Sequence, residues 1–347
     1  MTGSGMTSGR TVRKAVITAA GRGTRQYPAS SAVQKEMFPL VDTDGLTKTV
    51  IQIIGEEAIR AGVEEICLVT QPGDEGLYAD YFQGMTEETF AAFEGKDWAI
   101  AAAEQLADFG RRLHFVSQDS PQGYGHAVYQ AKDFVGDEPF LHLLGDHVYV
   151  AAAERCCAQQ LIDTFEAGGF DALSAVQATP ERLLHLFGTI KGSVVDGPEV
   201  AVGKPGHETW RVDAIEEKPT IERARAALRT PGLPAGHYLC HFGMHVFPPA
   251  IFESLAWHID HDIRVGGEIQ LTNAQELMRA EILSKGGGSG RYGACRIAGR
   301  RFDTGIPYGL METQIALALA GRHRGEIVES IALLLAEHLA PLARKQR

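Results

Sequence analysis

Four short apolar runs, residues 14–18, 65–70, 113–117 and 140–144, are separated by stretches with helical spacing. This alternation constrains the fold most, because it predicts βαβ units and a largely parallel sheet. Between Leu46 and Ala61, Val50, Ile53, Ile54 and Ala58 share one helical stripe, and Gly62 supplies a stop. Further helices are expected near 87–110, 123–134, 151–167, 268–283 and 308–320, with a last amphipathic one over 325–344. Further strands are expected at 172–177, 211–215, 238–247 and 292–297. The expected class is α/β: a Rossmann-like, mixed but mainly parallel sheet flanked by helices, with an inserted subdomain and C-terminal helices. Ligands of such sheets bind beyond the carboxyl ends of the strands. That puts the Gly21 loop, Gln118 and Gly145-Asp146 on one edge, since each follows a strand.

The first strand runs into Ala19-Ala20-Gly21-Arg22-Gly23, with Arg25 and Lys35 just beyond. Small residues let bare backbone N–H groups approach an anion, and two cations can neutralise a polyphosphate. A dinucleotide fingerprint is excluded, because Gln26 stands where the third glycine belongs. A Walker loop is excluded too: Gly197 to Gly203-Lys204 has five intervening residues and is followed by Pro205. A nucleotide-phosphate site remains, with a ligand-free turn as the plain alternative.

Composition narrows the partners. The chain has 347 residues and a formal net charge of −11, with no basic block, so nucleic acid is not expected. Binding phosphate then requires locally gathered cations, which draws attention to Arg25, Lys35 and Lys218. The five cysteines (67, 156, 157, 240 and 295) contain no C-x-x-C pair. Reduced thiols and a cytoplasmic location are expected, and a zinc site is not. No apolar run approaches a membrane span, and residues 1–10 lack the apolar region of a signal peptide. No G-x-S-x-G or reactive-cysteine pattern points to covalent acyl chemistry.

Asp146 ends the buried-looking run Phe140–Gly145, and Asp303 lies in Phe302-Asp303-Thr304-Gly305. Two carboxylates from distant parts of the chain suit Mg²⁺, which leaves positions for phosphate and water. Each could instead cap a turn. In Glu216-Glu217-Lys218-Pro219, Glu217 can accept sugar hydroxyls and Lys218 can meet a phosphate; a solvated charge cluster is the alternative. Gln118 and Gly123 offer an amide and a bare backbone to a base edge, or only a helix start. His126, His147 and His245 lie near these motifs, without metal-ligand spacing or a Ser/Asp partner, and read as packing or surface groups.

As an ordered set, several segments resemble the sugar-1-phosphate nucleotidylyltransferases, and most of all their bacterial UTP–glucose-1-phosphate uridylyltransferase branch. They are AAGRGTR (19–25), QKEM (34–37), PLVD (39–42), QDSPQGYGHAV (118–128), GDEPFLHLLGD (136–146), LFG (186–188), EEKP (216–219), GGEIQLTNA (266–274) and FDTG (302–305). The resemblance spans about 13–320. It implies that the Ala20–Gly23 backbone, Arg25 and Lys35 hold the triphosphate. Gln118 and Gly123 would read the base, and Asp146 and Asp303 would hold Mg²⁺. Gly188 and Glu217 would bind the sugar, and Lys218 its phosphate. It further implies a catalytic domain over 13–321 with a sugar-side subdomain, between a flexible tail (1–12) and a C-terminal helix (322–347), in a homodimer or homotetramer. The implied partners are a nucleoside triphosphate and a sugar 1-phosphate, with UTP and glucose 1-phosphate first. Gln34, His147 and Met244-His245 depart from the branch pattern, where Pro, a second Asp and Arg-Tyr are usual. They keep open a different nucleotide with a modified hexose or cyclitol phosphate. A non-catalytic nucleotide-sugar-binding homologue is the reading from another class.

Overall fold

The computed structural model describes residues 11–194, 208–283, 285 and 290–345. The expected tail up to residue 10, most of the glycine-bearing stretch 192–206 and most of the run 286–290 lie outside the described residues. The strands are β1 (Lys14–Thr18), β2 (Pro39–Val41), β3 (Thr47–Thr49), β4 (Glu65–Thr70), β5 (Leu113–Ser117), β6 (Phe140–Leu144) and β7 (His147–Ala151). They continue with β8 (Ala172–Pro180), β9 (Gly188–Val194), β10 (Thr209–Glu217), β11 (His237–Phe247), β12 (Tyr292–Arg296) and β13 (Gly299–Asp303). The chain divides into two compact units. The first takes the residues up to Gly21, Gly55–Gly145 and Ala151–Gly299; the second takes Arg22–Ile54, Asp146–Val150 and the chain from Arg300 onward.

The first unit holds a nine-stranded sheet in the order β5-β4-β1-β6-β11-β8-β12-β10-β9. β5, β4, β1 and β6 are mutually parallel, as the alternation predicts. In β1, Ala15, Val16 and Ile17 are all fully buried, the mark of a strand covered on both faces. From β6 the sheet turns mixed: β11 runs antiparallel to β6 and to β8, and β12 runs parallel to β8. The mainly parallel expectation therefore holds for the first four strands. The rest is mixed, because β11 is a long buried strand inserted beside them. Its register against β8 breaks between His241 and His245, where Gly243 has φ +85°.

The edge inferred for ligands exists within this unit. Ala19 N donates to the Val69 carbonyl at 2.7 Å, Gln118 N to the Thr70 carbonyl at 2.9 Å and Gly145 N to the Thr18 carbonyl at 2.9 Å. These bonds carry the parallel ladder one step past each strand and release the three loops together.

The second unit contains two small sheets, β2–β3 and β7–β13. None of these strands was expected, being three to five residues long with no clear alternation. The helix expected from Leu46 begins at Val50, because Thr47–Thr49 pairs with Pro39–Val41. The helix expected over 87–110 is two, Glu87–Ala92 and Asp97–Arg111, parted where Gly95 has φ +77°. Among the described residues no helix is long and apolar enough to cross a membrane.

Candidate active site

The β7–β13 pair brings the two aspartates together. Asp146 immediately precedes β7, and Asp303 ends β13. Thr304 ties the ends, donating to the Asp146 carbonyl from its N at 2.8 Å and its Oγ1 at 2.9 Å. Ligand atoms of Asp146, His147 and Asp303 all lie within 4.8 Å of one another. Gly305 closes the floor: a Cβ there would sit 2.6 Å from Asp146 Oδ2 and 3.1 Å from Asp303 Oδ1. The two oxygens of Asp303 have different surroundings. Oδ1 accepts the Gly305 N–H at 2.8 Å, the turn cap, while Oδ2 faces His147 at 3.8 Å.

Lys35 is buried in the same unit. Its Nζ donates to Asp146 Oδ2 at 2.6 Å and lies 3.0 Å from Glu36 Oε1. Burial by itself lowers the pKa of this ammonium, but Asp146 and Glu36 raise it above the ordinary lysine value. Burial pushes the fully enclosed Glu36 up to about 7 in spite of Lys35. Burial also opposes ionisation of Asp146, yet Lys35 and His147 hold it below the usual carboxylate range. Asp303 is likewise desolvated, but His147, the Gly305 N–H and Arg25 draw it down to about 2. Two neighbouring ionised carboxylates supply the oxygen donors that a hard divalent cation takes.

Arg25 is exposed, in the short 3₁₀ turn Thr24–Gln26 that Gly23 opens at φ +61°. Gln26 Nε2 donates to the Thr304 carbonyl and so fastens this turn to the Asp303 turn. Among the described residues, the backbone N–H groups of 20–25 donate to no protein acceptor. Ala20 and Gly21 belong to the first unit, Gly23 and Arg25 to the second.

The other expected residues lie in the first unit. Gln118 is buried, with Nε2 donating to the Gly123 carbonyl at 3.1 Å and lying 3.0 Å from His126 Nδ1. Gly123 has φ +116°, and a Cβ on it would come within 2.9 Å of Glu268 and the Ile269 backbone. Glu217 Oε2 accepts from Thr272 Oγ1 at 2.7 Å. Lys218, at φ 45°, places Nζ 3.2 Å from Glu217 Oε1, and its N donates to the Phe187 carbonyl at 3.2 Å. Gly188 faces this group: its Cβ would stand 2.6 Å from His241 Cδ2, 3.1 Å from Thr272 Oγ1 and 3.2 Å from Glu217 Oε2. Glu216, by contrast, pairs at the surface with Arg223 at 2.8 Å, the solvated reading of that cluster. A separate cleft lined by Arg225, Arg229, Thr230 and His237 includes none of these residues.

Residue-by-residue reading gave no role to Thr272, His241 or Glu36. Thr272 and Glu36 lie inside the segments 266–274 and 34–37 that carry the family resemblance, which is their only signal in the sequence. His245 is buried, 2.7 Å from Ser174 Oγ and 3.2 Å from Gln275 Nε2, and Met244 is fully buried. The departure at 244–245 is thus packed into the sheet.

A family model described as nucleotidyl transferase matches residues 14–282. UTP–glucose-1-phosphate uridylyltransferase of Bacillus subtilis (strain 168) is 34% identical over 329 residues, 93% of this chain and 97% of its own. The enzyme of that name from Streptococcus pneumoniae is 35% identical over 311 residues, 89% of this chain and 91% of its own. The structure of UTP-bound UGPase from Acinetobacter baumannii aligns with TM-score 0.70 at 25% identity, over 93% of this chain and 99% of that one. UDP-glucose pyrophosphorylase complexed with UDP-glucose shares the fold at TM-score 0.66 and 24% identity, over 88% of this chain and 98% of that one. With its strand-edge loops, its Asp–Asp–Lys cluster and this family match, the chain belongs to the nucleotidyl transferase family.

Proposed function

We propose that this chain catalyses the reaction of UTP with glucose 1-phosphate to give UDP-glucose and pyrophosphate. The observation that carries the reading is the Lys35–Asp146–Asp303 cluster, present in a chain that matches uridylyltransferases over nearly its whole length. Arg25, Lys35 and the N–H groups of Ala20, Gly21 and Gly23 bind the triphosphate. Gln118 and Gly123 read the uracil. Gly188 leaves room for the sugar, Glu217 accepts its hydroxyls and Lys218 pairs with its phosphate. Asp146 and Asp303 would hold a divalent cation, which would screen the phosphate charge.

The glucose 1-phosphate oxygen attacks the α-phosphorus in line. The bond from that phosphorus to the β-bridging oxygen breaks, and pyrophosphate leaves with the electron pair. The nucleophile is already anionic at neutral pH, so no general base is required. The work left to the protein is alignment and relief of repulsion between two polyanions. Lys35 is suited to it, because Asp146 and Glu36 keep it charged although buried.

The test is a pyrophosphate-release panel of five nucleoside triphosphates against several hexose and cyclitol 1-phosphates, with and without Mg²⁺. Release with UTP and glucose 1-phosphate alone is expected. Release with another pair transfers the reading to that pair, and release with none favours a binding protein. We also propose a homodimer or homotetramer, supported by Leu333, Leu334 and Leu335, each more than half exposed on the helix Arg324–Lys345. Light scattering coupled to size exclusion checks it, and a monomer mass would refute it.

A further inference from the structure

We propose that His147 is a third metal-binding side chain, making the site one that takes Mn²⁺ or another first-row transition ion in preference to Mg²⁺. This rests on the reading that Asp146 and Asp303 hold a divalent cation. Each aspartate has one oxygen committed within the protein: Asp146 Oδ2 to Lys35 at 2.6 Å, and Asp303 Oδ1 to the Gly305 N–H at 2.8 Å. The other two face the same atom, His147 Nε2, which lies 4.0 Å from Asp146 Oδ1 and 3.8 Å from Asp303 Oδ2.

These separations are too long for hydrogen bonds. They fall within the roughly 3 to 4.2 Å that separates two donors each about 2.1 Å from one ion. The imidazole itself points to a ligand. Its side chain is only 8% exposed, and Nε2, turned toward both free carboxylate oxygens, lies beyond hydrogen-bond distance of each. An ion there would engage that nitrogen, with the ring proton on Nδ1.

An imidazole among oxygen donors changes which ion fits. Mg²⁺ favours carboxylate and water, whereas nitrogen donors bind later first-row ions more tightly, Mn²⁺ being the first on that series. The chain places this nitrogen donor directly after Gly145-Asp146. This residue therefore sets metal preference while leaving the two aspartates unchanged.

The experiment is pulsed EPR of Mn²⁺ bound to the full chain in the presence of UTP, with ¹⁵N-histidine incorporated. A ¹⁵N coupling of directly ligated imidazole is expected. It should vanish in His147→Asp, which should still bind Mn²⁺. Competition titrations should give a wild-type preference for Mn²⁺ over Mg²⁺ that is higher by about tenfold or more than in the variant, the scale of ligand-shell changes. Bound Mn²⁺ without nitrogen coupling in the wild type overturns the proposal and leaves the two-aspartate site standing. Coupling retained in His147→Asp overturns it as well. Equal Mn²⁺ binding by wild type and Asp146→Asn removes the cation site itself, and the proposal with it.

Discussion

Replacing Gly188 with alanine tests the sugar assignment most directly. The added Cβ would meet His241 Cδ2 at 2.6 Å, Thr272 Oγ1 at 3.1 Å and Glu217 Oε2 at 3.2 Å. Ordinary carbon contacts begin near about 3.5 Å, so close to 1 Å of movement is needed. The His241 ring is buried in β11 and packs edge-on against His245 at 4.9 Å. The Glu217–Thr272 pair is the softer neighbour and should yield. Overpacking of this kind costs about 1–3 kcal/mol of stability. Losing a carboxylate hydrogen bond to a sugar hydroxyl costs about 1.5–3 kcal/mol of binding, roughly 10- to 150-fold.

Gly192→Ala supplies the control. It lies in the same strand, and its Cβ would come 2.8 Å from Trp210 Cβ and 3.2 Å from Leu239 Cδ1. It should lose comparable stability without touching Glu217. Calorimetric titration with UDP and with UDP-glucose reads the difference. Gly188→Ala should bind UDP nearly as wild type and UDP-glucose 10- to 150-fold more weakly, while Gly192→Ala changes neither by more than about twofold. A folded Gly188→Ala protein that binds UDP-glucose within twofold of wild type would refute the argument. So would an equal loss of UDP affinity.

Lys35→Met leaves Asp146 without its 2.6 Å partner; pyrophosphate release should fall roughly 100- to 1000-fold, and a loss under tenfold would remove Lys35 from the chemistry. Asp146→Asn should abolish cation-dependent turnover across a Mg²⁺ and Mn²⁺ titration, and near wild-type rates would show the metal assignment to be wrong. Glu36 titrates at about 7 when folded, against 4.5 for an ordinary glutamate, so the folded state holds its proton more tightly. Its contribution to stability is complete below pH 4.5 and is lost as pH rises through 7, by up to about 3 kcal/mol. Melting temperatures of wild type and Glu36→Gln across pH 4.5–8 should diverge with rising pH, the variant being flatter; parallel curves would sink this.

What could be read beforehand follows the range of the interactions involved. β1, β4 and β6 stand within their sequence-based bounds because each is largely buried, and continuous burial leaves an unbroken apolar run in the chain itself; β5, only partly buried, keeps its bounds through Leu113, Phe115 and Val116 of its short run. β13 left no such trace, only Phe302 of its five residues being buried, whereas β7 carries the strand-favouring Val148-Tyr149-Val150. They pair residues some 150 positions apart, and that pairing is not written in either segment. The same pairing brings Asp146, His147 and Asp303 together, a proximity the sequence does not show, so His147 reads from sequence as an ordinary packed histidine. Conversely, the departure at Met244-His245, which drew attention as a substrate determinant, is sheet interior. Its neighbour His241 is the side chain that meets Gly188. Between His241 and His245 the register against β8 shifts at Gly243, yet the two rings stay in contact at 4.9 Å; of the two it is His241 that lies against Gly188. Substrate choice, if it departs from glucose, should therefore respond to His241 before it responds to either residue of the altered pair.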